Sequence, residues 1–195
     1  PEVVTPPAAE TGKVLLIQPR RGWIPIDWRE LWAYRELLYF LIWRDVKVRY
    51  KQTALGVTWA VLQPVFSMLI FTVIFGGFAQ IPSDDTPYAV FVYAGLLPWT
   101  FFANSVTLGG QSLVNQQHLL TKVYLPRLFV PAASVGGGLL DMLISMGVYG
   151  IILARYRIVP SWHVIFLPAL ILLTVMVALS FCFLLAALTV SYRDF

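Results

Sequence analysis

Residues 52–83 read QTALGVTWAVLQPVFSMLIFTVIFGGFAQIPS, without one Asp, Glu, Lys or Arg. About 20 such residues suffice to cross the hydrocarbon core of a bilayer as a helix, so this segment reads as a membrane span. Two further stretches have the same character. Thr86 to Thr121 carries no charge, and Leu128 to Tyr192 carries only Asp141, Arg155 and Arg157. Over its 195 residues the chain is 58% hydrophobic and 12% charged, whereas soluble domains average roughly half and a quarter. A soluble globule, a disordered chain, a collagen-like repeat and a disulfide scaffold are excluded. The expected fold class is an all-α membrane protein, a multi-span helical bundle preceded by an N-terminal interface helix.

The charge-free runs place four spans near 57–78, 88–110, 128–153 and 163–190, within a transmembrane region covering 54–195. Ahead of them, residues 1–28 hold Pro1, Pro6, Pro7, Pro19 and Pro25 among scattered charges, the composition of an extended leader. This leader does not read as a secretory signal, because its apolar patch Val14–Ile17 is short and runs into Pro19, Arg20 and Arg21. From 29 to 53, Leu31, Tyr34, Leu38, Leu41, Ile42 and Val46 recur at helical spacing, with Arg29, Glu36, Arg44, Lys47 and Lys51 roughly opposite. That pattern predicts an amphipathic helix in the interface. Asp45 and Arg49 fall on its apolar side, four residues apart in the order that lets them pair, and their presence predicts protein contacts along that side. Of the three loops, only 111–127 is long and amphipathic.

Cytoplasmic loops carry the excess of Lys and Arg. Nine precede the first span and Lys122, Arg127 and Arg193 share their side, against Arg155 and Arg157 alone on the other. The N-terminus, the middle loop and the end of the chain are therefore expected in the cytoplasm, and the formal charge of +4 is directed at membrane lipid and not at nucleic acid. Trp59, Tyr88 and Trp162 suit interfacial belts, whereas Trp99 lies well inside its span. Each span contains a proline, Pro64, Pro98, Pro131 or Pro168, which predicts kinked helices that need neighbours. In the third span Ala132, Ala133 and Ser134 stand four residues before Gly136, Gly137 and Gly138. Such pairs read as close helix approach, or else as small residues tolerated in a crowded bundle.

No catalytic constellation is present: His118 and His163 belong to opposite sides, and no acid pair shares a span. Cys182 stands alone in an apolar run, so neither a disulfide nor a cysteine metal site is expected, and no cofactor is expected on this chain. The one Gly-Lys pair, Gly12 and Lys13, lacks the rest of a nucleotide-binding loop, with Pro7 at the first glycine position and Val14 after the lysine. Asp141 is the one acid inside a span. An intramembrane carboxylate either couples protons to transport or pairs with a neighbouring helix and fixes the bundle. Likewise the two amphipathic pieces, 29–53 and 111–127, either receive a soluble partner or anchor the protein to anionic lipid through Arg44, Lys47, Arg49, Lys51, Lys122 and Arg127.

The blocks WRDVKVRYKQTALGVTWAVLQP at 43–64, YAGLLPWTFFANSV at 93–106, LLTKVYLPRLFVP at 119–131 and SYRDF at 191–195 resemble the permease subunit of type-two ABC exporters for polysaccharides and polyol phosphates, the exporters of O-antigen, capsule and teichoic acid. The resemblance runs from about residue 36 to the end. It implies a homodimeric permease of the cytoplasmic (inner) membrane, two copies of a separate ATPase subunit that holds ATP and Mg, and export of a glycan carried on a polyprenyl pyrophosphate lipid. By the same resemblance 29–53 is the interface helix, and 111–127 contains the coupling helix, with Leu119, Lys122, Tyr124 and Arg127 facing the ATPase. Tyr93, Trp99, Phe101 and Phe102 match an aromatic-rich second span that faces the translocation channel, where ring faces stack on sugars. Arg44, Lys47, Arg49 and Lys51 would meet the lipid pyrophosphate or the lipid surface.

The family pattern has six spans, of which four are legible by Phe195, and the leader falls outside the match. The function expected is a permease with no chemistry of its own. Two rivals stand beside it: an ion-coupled secondary transporter that uses Asp141, and a small-lipid or drug exporter permease of the same superfamily.

Overall fold

The computed structural model describes residues 28–51, 56–78, 86–122 and 125–191. The leader before Trp28, the Asp84–Asp85 loop, Tyr124 and the tail from Tyr192 lie outside the described residues, as do the side chains of Trp59, Leu119 and Lys122. Among the described residues every regular element is helical: α1 (Trp28–Ala33), α2 (Arg35–Lys51), α3 (Gly56–Phe71), α4 (Tyr88–Asn115), α5 (Gln117–Lys122), α6 (Phe129–Arg155) and α7 (Leu167–Ser191). A π-helical segment, Thr72–Phe78, extends α3, and a 3-10 turn, Trp162–Phe166, leads into α7. Four stretches are long and apolar enough to cross a membrane: Val61–Phe78, Tyr88–Asn115, Phe129–Arg155 and Trp162–Ser191.

The bundle is inside-out relative to a soluble protein. Leu170, Leu172, Leu173 and Met176 of α7 and Phe66, Leu69 and Ile70 of α3 are exposed, an apolar surface of a kind that requires lipid or another chain to cover it. What is buried is smaller. α4 packs most extensively, against α6 and α7, and the centre holds Phe101, Val135, Met142, Ala178 and Cys182. Small residues admit this approach: a Cβ on Gly109 would lie 2.6 Å from Cys182 Sγ, and one on Gly138 would lie 2.7 Å from Ser105 Oγ. The Cys182 thiol donates to the Ser105 carbonyl at 3.0 Å, so it serves the α4–α7 contact.

Three expectations are corrected. Pro64 and Pro98 lie inside α3 and α4, but Pro131 and Pro168 occupy the first turns of α6 and α7, where an N–H has no intrahelical acceptor to lose. The interfacial helix is divided at Tyr34, whose carbonyl accepts the N–H groups of Leu37 and Leu38. Its outward side is also not simply polar: Trp32, Tyr39, Phe40 and Trp43 are exposed there beside the charges, as suits rings placed at headgroup level. At the far end of α6, Arg157 adopts φ 54°. The N–H groups of Arg157 and Ile158 reach back to the carbonyls of Ala154 and Leu153, the paired bonds that close a helix through a left-handed residue.

If the α4–α7 contact depends on the missing Cβ, Gly109→Val destabilises the protein by about 1–3 kcal/mol through overpacking. Gly147, with nothing within 4 Å of its Cβ position, tolerates the same change. Thermal unfolding of the detergent-solubilised protein distinguishes the two.

Candidate functional site

The end of the bundle where α4 finishes and α6 begins gathers the two amphipathic pieces into one body. Leu41 of α2, Leu125 of the connection and Phe129, Val130 and Ala133 of α6 form a buried cluster, with Leu31, Leu37, Leu38 and Ile42, Leu113 and Leu120 packed around it. Residues 29–53 and 111–127 therefore share a hydrophobic core. Much of the middle loop is not a separate helix: residues 111–115 complete α4, Gln116 breaks the rise, and α5 is short. Arg127 is exposed at the turn into α6.

Polar contacts fix α2 across this end. Arg44 donates through Nε and Nη2 to Asp45 Oδ1 at 3.0 and 2.7 Å, and through Nη2 to Gln116 Oε1 at 2.6 Å, tying α2 to the end of α4. Asp45 is thus paired with Arg44, not with Arg49 as its spacing suggested. Arg49 forms its ion pair with Asp141 of α6, and the Tyr50 hydroxyl donates to the other carboxylate oxygen. Burial first, and then the hydrogen bond to and charge of Asp141, push the Tyr50 phenol above its ordinary value, so it remains a proton donor.

The path of α2 explains how the pair forms. Ile42 lies over Gly136, whose Cβ position is 2.6 Å from Ile42 Cδ1, while the Arg49 guanidinium passes Gly137 and ends on Asp141. The contact advances along both helices together, so α2 runs parallel to α6. It ends beside a residue near the middle of α6 (Phe129–Arg155), about 18 Å along that helix from Phe129. A groove of about 540 Å³ remains between α2, α4 and α6, lined by Arg44, Arg49, Ser112, Gln116, His118 and Ser134 among others.

The other residues singled out are distributed differently. Of the four basic residues singled out in α2, Arg44 and Arg49 are engaged with Asp45 and Asp141, whereas Lys47 and Lys51 are exposed. Tyr93 and Phe101 are buried. The Tyr93 hydroxyl donates to the Ser145 carbonyl at 3.1 Å and its ring stacks on Tyr149, holding α4 to α6. Phe102 is half-buried, edge-on to Phe181 of α7, and Trp99 is 63% exposed. Sequence reasoning missed Tyr50 and Gln116; the one signal for Tyr50 was the need of Asp141 for partners. Among the described residues no group of His, Cys, Asp and Glu is placed to hold a metal.

The architecture is that of a polytopic helical membrane protein whose interfacial helix is clamped into its bundle. The chain belongs to the ABC-2 type transporter family, whose profile matches residues 36–195. It is 33% identical over 166 residues to the O-antigen export system permease protein RfbA of Myxococcus xanthus, a match covering 85% of this chain and 63% of that protein. Two proteins of the same description from Klebsiella pneumoniae are 32% and 29% identical over 126 residues, 65% of this chain and 48% of theirs. The chain thus spans less than two thirds of the length of these relatives. ABC-2 membrane proteins are permeases without ATPase activity of their own.

A double-mutant cycle tests the clamp. Asp141→Asn and Arg49→Gln each lower the unfolding midpoint in detergent, and the double variant loses less than the sum, with a coupling of about 1–3 kcal/mol.

Proposed function

We propose that this chain is the permease of an ATP-driven exporter that moves a lipid-linked, O-antigen-like polysaccharide across the cytoplasmic membrane. The observation that carries this reading is the similarity to three O-antigen export permeases within the ABC-2 family. Its partners are two copies of a separate ATPase, which hold ATP and Mg, a second copy of this chain, and the glycan lipid.

The geometry supports a division of labour. Because 29–53 and 111–127 share one core, a subunit that docks on either piece displaces both. Leu119, Lys122, Tyr124 and Arg127 are the residues proposed to meet the ATPase, at the end the positive-inside bias places in the cytoplasm. Trp99 and Phe102 offer ring surface to a sugar chain, while Tyr93 and Phe101 stiffen the same helix from within. Lys47 and Lys51, with their charges turned outward, are better placed for a pyrophosphate or an anionic lipid than Arg44 and Arg49, which already have carboxylate partners. Each exposed lysine contributes about 1 kcal/mol near an anionic surface.

Purification of the full-length protein from mild detergent is expected to bring down a stoichiometric ATPase, and Lys122→Glu is expected to uncouple ATP hydrolysis from surface display of the glycan while the protein still inserts. A permease that purifies alone and supports transport without ATP would overturn the reading.

A further inference from the structure

The clamp at Asp141 has a geometry that lipid anchoring of α2 does not require. A helix meant only to rest in the interface needs an apolar side and a basic side. α2 instead climbs beside α6 and ends with Arg49 and Tyr50 on a carboxylate near the middle of that helix. Three fastenings lie along its length: Leu41 and Ile42 against Phe129, Val130, Ala133 and Gly136; Arg44 on Gln116; and Arg49 with Tyr50 on Asp141. The charges that belong least in hydrocarbon are the ones used for the deepest fastening, where an unpaired partner would be most costly.

We propose that Arg49, Tyr50 and Asp141 are positioning residues that make α2 and the adjoining half of α6 one rigid arm, so that displacement of α2 by an ATPase is delivered to the middle of α6 and not to its end. This rests on the exporter reading above. Gly136 belongs to the device, because with Ile42 in place a Cβ there would lie 2.6 Å from Ile42 Cδ1 and push that side chain off α6, whereas at Gly137 a Cβ would make only ordinary contact with Arg49 at 3.7 Å. Asp141 then acts through geometry and not by carrying a proton.

The test uses the full-length permease assembled with its ATPase, reading ATP hydrolysis and surface glycan separately. Asp141→Asn is expected to hydrolyse ATP at the parental rate while export falls by about 2- to 30-fold, the range set by broken coupling contacts. Arg49→Lys, which keeps the charge, retains more export than Arg49→Gln. The exchanged pair, Arg49→Asp with Asp141→Arg, recovers export, which a proton-carrying carboxylate would not allow. Because these variants bear on stability as well, a second measurement leaves Arg49, Tyr50 and Asp141 unchanged. In Ile42→Cys with Gly136→Cys the Cδ1 that a side chain at 136 would meet is gone and two thiols stand across the α2–α6 contact; oxidation to a disulfide is expected to leave ATP-driven export at the level of the same variant reduced. Export stopped by that bridge while hydrolysis continues would show that α2 must move against α6, and would overturn the rigid arm without touching the exporter reading. Full export by Asp141→Asn would do the same. A wild-type complex with no ATPase would remove both.

Discussion

A carboxylate placed in the middle of a membrane helix is costly to leave without partners, and this chain supplies Asp141 with two of its own, Arg49 and Tyr50. Isolated, such a charge would cost several kcal/mol. α2 delivers a guanidinium and a phenol to it, and to do so the helix must lie close against α6 over several turns. That close course is favoured by the missing side chain at Gly136 and by an apolar seam at Leu41 and Ile42. The polar requirement and the packing requirement thus have one solution.

Elsewhere the bundle depends on contact area, since lipid outside is as apolar as the helices within and burial alone gives little drive to associate. α4 is the axis of this packing. Gly109 and Gly138 admit α7 and α6, Tyr93 bonds across to α6, and Phe102 meets Phe181 of α7. Where α4 ends, Leu113 and Leu120 join the cluster around Leu41 and Phe129. The unit presented at that end is therefore a compact head built from two sequence segments, and a permease that answers to a soluble ATPase would need such a surface.

Asp141 illustrates how far polarity alone can be read. Its isolation in an apolar run marks it as either a carrier of protons or a partner in a bundle, and the choice turns on what stands opposite. Arg49 and Tyr50 stand opposite, from a helix remote in sequence. The same residues show why local spacing misleads: Asp45 and Arg49 are one helical turn apart and of opposite charge, yet Arg44 holds Asp45 and leaves Arg49 for a deeper acid.

The sequence by itself determined the spans, their number in this chain and the sidedness bias, because charge-free length and the distribution of Lys and Arg are properties of one dimension. Its helical spacing marked a helix ahead of the spans, which the structure describes as α1 and α2, and its motif blocks pointed to the family. Tertiary structure decided which side chains meet. It placed Pro131 and Pro168 in first turns where they break nothing, turned Tyr93 and Phe101 into the core while leaving Trp99 outside, and merged 29–53 with 111–127. In a uniformly apolar span every face looks alike to a hydropathy reading, and only shape complementarity between helices selects the inward one.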